Sequence, residues 1–212
     1  PLAAIGEDAV PDVDVGIVVV GASWGGLQAL SDLLDGLPAS FDLPVVIVQH
    51  RGKDAESLLA MLLQDHTRMR VMEVEDKQPS VEGTLFSLSV DEQVRFSRPS
   101  IDVTFDSAAS ACGSRAIGVV LTGANEDGAR GLRRIVDAGG RAIVQDPATA
   151  EVRTMPMAAL RSVPEAERLT VRQIGPRLGQ IAGEKAAAAA AARSSKLKLH
   201  RGSESSGTQA RP

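Results

Sequence analysis

A run of β-branched residues that breaks into glycines around one serine constrains this chain most: Val18-Val19-Val20-Gly21-Ala22-Ser23-Trp24-Gly25-Gly26-Leu27. Continuous apolar strands of this kind are buried on both faces of a parallel sheet. The glycines then allow a tight turn at low steric cost, and an amphipathic helix follows. Gly21 to Gly25 spells G-x-S-x-G, the strand-turn-helix setting in which a serine hydroxyl can stand exposed above the end of a sheet. The same residues also suit ordinary α/β punctuation, or a phosphate cradle at a helix N-terminus.

The plan repeats along the chain. Leu27, Leu30, Leu33, Leu34 and Leu37 recur at helical spacing, and Pro38 ends that helix. Pro44 to Gln49 reads as a second buried strand. Asp54 to Gln64 reads as a second helix, with Leu58, Leu59, Leu62 and Leu63 inward. A third strand is expected at Arg70 to Val74. Glu75 to Arg98 turns polar and alternates locally, which reads as a short antiparallel excursion. A helix from about Ser100 to Ala111 leads into the strand Ala116 to Leu121. A helix closed by Gly139-Gly140 comes next, then a strand at Arg141 to Gln145 and a short helix at Met155 to Ser162. This alternation predicts an α/β fold with a doubly wound, mostly parallel sheet and helices on both faces.

Three units are expected: a tail or linker over 1–15, a catalytic domain over 16–181, and an alanine-rich helix end with a disordered tail over 182–212. The tail's basic cluster, Lys196, Lys198, His200 and Arg201, reads as solvated. A net charge of -4, no tyrosine and one tryptophan argue against nucleic-acid binding. A single cysteine, Cys112, excludes an internal disulfide framework, fits a reducing cytoplasm and reads as a packed thiol. No stretch approaches the roughly 20 apolar residues of a membrane span, and no signal sequence opens the chain, so a cytoplasmic location without membrane insertion is expected.

In open parallel sheets, ligands bind beyond the carboxyl ends of the strands. Three of those ends carry complementary groups: Ser23, His50 and Asp127. A hydroxyl, an imidazole and a carboxylate on one sheet edge compose a hydrolytic triad. Each also has a plainer role: His50 as a structural hydrogen-bonder or an exposed side chain, Asp127 as a cap at the start of the Gly128 to Ala138 helix. His66 lies in a polar stretch and His200 in the tail, which leaves His50 as the base. Backbone N–H groups at Trp24 and in the Gly123-Ala124 turn are candidate oxyanion donors. No cofactor is called for. Glu73, Glu75 and Asp76 lack metal-ligand spacing, so no metal site is expected. A dinucleotide-binding domain would close its second strand with an acid, whereas this strand ends in Gln49-His50.

Five blocks in uninterrupted order carry a family likeness from about Gly16 to Ile181. They are Gly21 to Gly26, Val46 to His50, Arg98 to Val103, Leu121 to Ala129, and Gln145-Asp146-Pro147 with Thr154-Met155-Pro156. Together they resemble the catalytic domain of the CheB-type protein-glutamate methylesterases. The resemblance implies hydrolysis of glutamate γ-methyl esters on the cytoplasmic helices of chemoreceptors, with release of methanol and, in many members, deamidation of receptor glutamines. It places the nucleophile on Ser23, the histidine on His50, the aspartate on Asp127 and a main-chain donor at Ala124, where methionine is common. Trp24 stands where threonine or alanine is more familiar. The family's segment with proline, glycine and histidine is shortened here to Gly83 to Val90. Residues 1–15 are too few for the family's receiver domain, so two arrangements stay open: regulation by a separate receiver or response-regulator protein, or a receiver that lies outside this sequence. Two other readings remain: a non-catalytic family member acting as a binding partner, and a nucleotide-binding α/β domain.

Overall fold

A computed structural model of the chain describes residues 16–51, 58–73, 84–91, 100–184 and 187. Seven strands form one sheet in the order β3-β4-β2-β1-β5-β6-β7. They are β1 (Ile17–Ala22), β2 (Val45–Arg51), β3 (Arg70–Glu73), β4 (Thr84–Asp91), β5 (Ala116–Val120), β6 (Arg141–Gln145) and β7 (Glu167–Leu169). Every described strand pair is parallel. The helices are α1 (Gly26–Asp35), α2 (Leu58–Gln64), α3 (Ile101–Cys112), α4 (Ala129–Asp137), α5 (Thr154–Ser162) and α6 (171–184). From β1 the chain builds outward through β2 on one side. It then returns to lay β5 against the other side of β1, so the topological switch lies between β1 and β5. That is where a doubly wound sheet opens its ligand crevice.

Strand alternation sorts the core into two layers. Val18, Val20 and Ala22 join α1 residues Leu30, Leu33 and Leu34 with Ile174 and Leu178 of α6. Val19 and Val48 join Ile101 and Phe105 of α3 with Leu132 and Ile135 of α4. Burial on both faces is why these strands read as unbroken apolar runs.

The expected antiparallel excursion is corrected. β4 lies parallel between β2 and β3, with Val45 opposite Leu85 and Val71 opposite Leu85 on the other side. Alternation of apolar and polar residues reports the pleat's period of two, not the direction of the strand. Two further differences are local. Leu62 is exposed while Leu59 and Leu63, one turn apart, take the buried face of α2. The three-residue edge strand β7 went unexpected because Glu167-Arg168-Leu169 has neither length nor an apolar pattern. The expected units 1–15 and, beyond residue 187, the alanine-rich tail lie outside the described residues.

Helices α3 and α4 touch closely through Gly131. A Cβ there would stand 2.7 Å from Phe105 Cβ and 2.8 Å from the Asp102 carbonyl oxygen. Neither neighbour is a flexible side-chain tip. Gly131→Ala is therefore expected to destabilise the fold by about 1–3 kcal/mol through overpacking, measured as a lowered urea midpoint at unchanged m.

Candidate active site

Ser23 lies one residue beyond β1 and His50 on the last turn of pleat in β2. The last registered pair of these strands is Ala22 with Gln49, so the two residues project from adjacent strand ends. Successive side chains alternate, which places His50 on the face that Val48 shares with α3. α3 begins there. Its Ser100 cap accepts a hydrogen bond from Val103 N at 3.1 Å.

Asp127 completes the start of the same helix. Its Oδ2 accepts from Ile101 N at 2.9 Å and its Oδ1 from Asp102 N at 3.0 Å. Asp102 returns the arrangement: its Oδ1 accepts from Gly128 N at 3.0 Å and Gly131 N at 2.7 Å at the start of α4. Each helix thus has its free N–H groups satisfied by an acid at the other's N-terminus. Both positions also favour negative charge. Arg130 pairs with the second oxygen of Asp102 at 3.3 Å.

The capping carboxylate is also the partner of His50, whose Nε2 lies 3.0 Å from Asp127 Oδ2. Both side chains are largely buried, at 15% and 17% exposure. Burial by itself would raise the Asp127 pKa. The hydrogen bond from His50, those from Asp102 and Ile101 N–H, and the imidazole's charge outweigh it and hold the carboxyl below its ordinary value. His50 thus also makes a structural hydrogen bond, whereas Asp127 caps α3 and not the helix that follows it, whose cap position, Gly128, carries no side-chain hydrogen bond.

The turn carrying Ser23 is fastened to the end of β5. Ser23 N donates to the Thr122 carbonyl at 3.0 Å, and Thr122 Oγ1 donates to the Trp24 carbonyl at 2.9 Å. Thr122 N donates to the buried Gln145 Oε1 at 2.8 Å. Gly123 must be small, since a Cβ there would approach Ser23 Cβ to 2.9 Å and collide with Met155. The Trp24 and Ala124 N–H groups have no acceptor among the described residues. Gly25 caps α1 in the left-handed region at φ 74°, without a side-chain capping hydrogen bond. Trp24 is 67% exposed, with its Nε1 donating to Glu151 at 3.1 Å.

Of the residues expected from sequence, His50 and Asp127 are in contact and Ser23 is on the same sheet edge. No hydrogen bond joins Ser23 to His50. The imidazole's other nitrogen, Nδ1, is met instead by Asn125 Nδ2 at 3.1 Å. His66 sits elsewhere, paired with Asp35 at the end of α1 at 3.1 Å. Cys112 is a free, half-buried thiol packed on the α3 side of the core. Thr122, Asp102 and Asn125 were not singled out by sequence reasoning. Asp102 had a usable signal, an acid in the first turn after a Ser cap. Side chains over 84–91 and all of 74–83 lie outside the described residues, and with them the shortened Gly83 to Val90 segment as a wall of the site.

Comparison with known proteins gives the family and the fold. The family described as CheB methylesterase matches residues 18–178. A putative protein-glutamate methylesterase/protein-glutamine glutaminase of Leptospira interrogans is 40% identical over 161 residues, covering 68% of this chain and 83% of that protein. Methylesterase/glutaminase 3 of Pseudomonas aeruginosa is 34% identical over 78% of this chain, which spans 54% of that longer protein. The protein-glutamate methylesterase FrzG of Myxococcus xanthus is 34% identical over 82% of this chain and 57% of its own length. The crystal structure of the Thermotoga maritima CheB methylesterase catalytic domain superposes with a TM-score of 0.71 at 27% identity, covering 79% of this chain and 98% of that domain. With its doubly wound sheet, its strand-end serine, histidine and aspartate, and a match from residue 18 to 178, the chain belongs to the CheB methylesterase family.

Proposed function

We propose that this chain hydrolyses glutamate γ-methyl esters on the cytoplasmic helices of chemoreceptor-type proteins, with Ser23, His50 and Asp127 as its triad. The observation that carries the reading is the largely buried His50–Asp127 pair, at 3.0 Å, set at the strand end next to Ser23. Ser23 Oγ attacks the ester carbonyl while His50 takes its proton. The oxyanion that forms is received by the Trp24 and Ala124 N–H groups, which are free for it. Collapse breaks the bond to methoxide, His50 returns the proton, and methanol leaves. Water, deprotonated by the same imidazole, then cleaves the γ-glutamyl ester of Ser23 and restores the hydroxyl. A receptor glutamine would follow the same path with ammonia as the leaving group. Asp127 holds the ring's tautomer and stabilises its charged form throughout.

The exposed Trp24 beside the nucleophile suits a substrate carried on a protein surface. The receptor helices it acts on are cytoplasmic, and we place the protein there; no described helix is long and apolar enough to cross a membrane. The test is methanol release from receptors carrying methyl-esterified glutamates. Wild-type protein is expected to release it, and failure with several methylated receptors, by folded protein, overturns the assignment.

A further inference from the structure

We infer that Asn125 is a positioning residue that latches the catalytic base in the resting site, a reading that rests on His50 and Ser23 acting as proposed. The latch follows from counting protons around the imidazole. Asp127 is held ionised and can only accept, so the hydrogen of the 3.0 Å contact is on His50 Nε2. In the neutral ring the proton is therefore absent from Nδ1, whose single in-plane lone pair is the site of proton uptake. Asn125 fills it. Its carboxamide cannot be turned about, because Oδ1 accepts from Asp127 N at 3.1 Å, leaving Nδ2 to donate to His50 Nδ1 at 3.1 Å.

One lone pair takes one strong donor, so Asn125 and Ser23 compete for it. Asn125 thus does two things. It fixes the tautomer that leaves Nδ1 bare, and it keeps that nitrogen from Ser23 until the latch opens. The ring is engaged the other way round from the usual triad, in which Nδ1–H meets the carboxylate and Nε2 the serine. Asn125 is exposed on the turn between β5 and α4, so it can swing aside without disturbing the core. The charged groups around it, among the described residues, are Asp127 with Asp102 and Arg130 behind it, and Glu126 in the same turn. Glu126 is taken up by Arg161 at 2.8 Å, and Glu151 by the Trp24 indole.

Two variants test the latch, with a small fluorophosphonate as the probe of Ser23, so that no receptor is needed. Asn125→Ala removes the competitor and should raise the rate of Ser23 phosphonylation by about threefold to tenfold, the worth of one neutral hydrogen bond. Asn125→Asp keeps an acceptor for Asp127 N but sets a carboxylate against Nδ1, which favours the protonated ring. The acid limb of its pH–rate profile should move to higher pH by about one unit. Nitrogen-15 spectra of His50 should show Nε2 protonated in the wild type, and Nδ1 alone changing in Asn125→Ala. The latch is overturned if Asn125→Ala, folded by circular dichroism, reacts no faster than wild type, or if the Asn125→Asp profile does not move. If the probe fails to label Ser23 in the wild type, the triad itself is refuted instead.

Discussion

Ser23→Ala is expected to lower kcat for methanol release by about 10³- to 10⁶-fold, to background, while leaving the fold intact. The size of the loss follows from the chemistry. Without the hydroxyl there is no covalent intermediate, and His50 has no proton to take from the attacking group. The stability side follows from the structure. Ser23 is half-buried at the turn, and its Oγ makes no hydrogen bond among the described residues. What holds the turn is main chain: Ser23 N to Thr122 O at 3.0 Å and Gly26 N to Ser23 O at 2.9 Å. Alanine keeps both, so the unfolding free energy should change by no more than about 0.5 kcal/mol. Matched urea melts with activity at the wild-type level would remove Ser23 from the mechanism. A lowered midpoint would show that the hydroxyl supports the turn.

How much of this site a sequence discloses depends on whether each residue is placed by its own segment or by another. Ser23 and His50 were legible because a buried strand announces itself by unbroken β-branched residues, and in a parallel sheet the residues at the carboxyl end of such a strand stand at the ligand edge. Asp127 was legible for its position after β5. Its second duty, capping α3 from 26 residues away, was not, since nothing local to Asp127 refers to Ile101. The same holds for Thr122, whose hydroxyl fastens the Ser23 turn only because β1 and β5 are neighbours. Asn125 reads from sequence as a turn residue, and its Asx-type bond to Asp127 N fits that reading. Only the approach of β2 brings an imidazole to its other end. Strand direction is the clearest loss. Leu85-Phe86-Ser87-Leu88 reveals a pleat, but partners on both sides of β4 decide that it runs parallel.

Asp127 joins the two kinds of information, and its variants should separate them. Asp127→Asn keeps the side chain's shape and one acceptor oxygen, but its amide nitrogen can only donate. Ile101 N, Asp102 N and His50 Nε2 all seek acceptors at this side chain, within 3.0 Å. One of them must go unsatisfied or the ring must change its tautomer. A fall in kcat of about 10⁴-fold is expected, the scale of tautomer loss in a triad, with a smaller loss of stability. Asp127→Ala removes every acceptor at once. Losing a helix cap and leaving two partly buried N–H groups bare should cost about 2–4 kcal/mol in addition to the lost activity. The stability difference carries a sign in pH. The folded Asp127 carboxyl titrates below its unfolded value, so its stabilisation is complete above about pH 4 and is lost as pH falls through the lower folded value. Wild type and Asp127→Ala should therefore differ by a constant amount between pH 5 and 7 on this scale, and converge on further acidification. Urea melts at three pH values read this directly. A gap that widened in acid would mean the carboxyl is held protonated, and the His50–Asp127 pair could not then fix the base. An Asp127→Asn protein of wild-type activity would restrict Asp127 to its place at the head of α3.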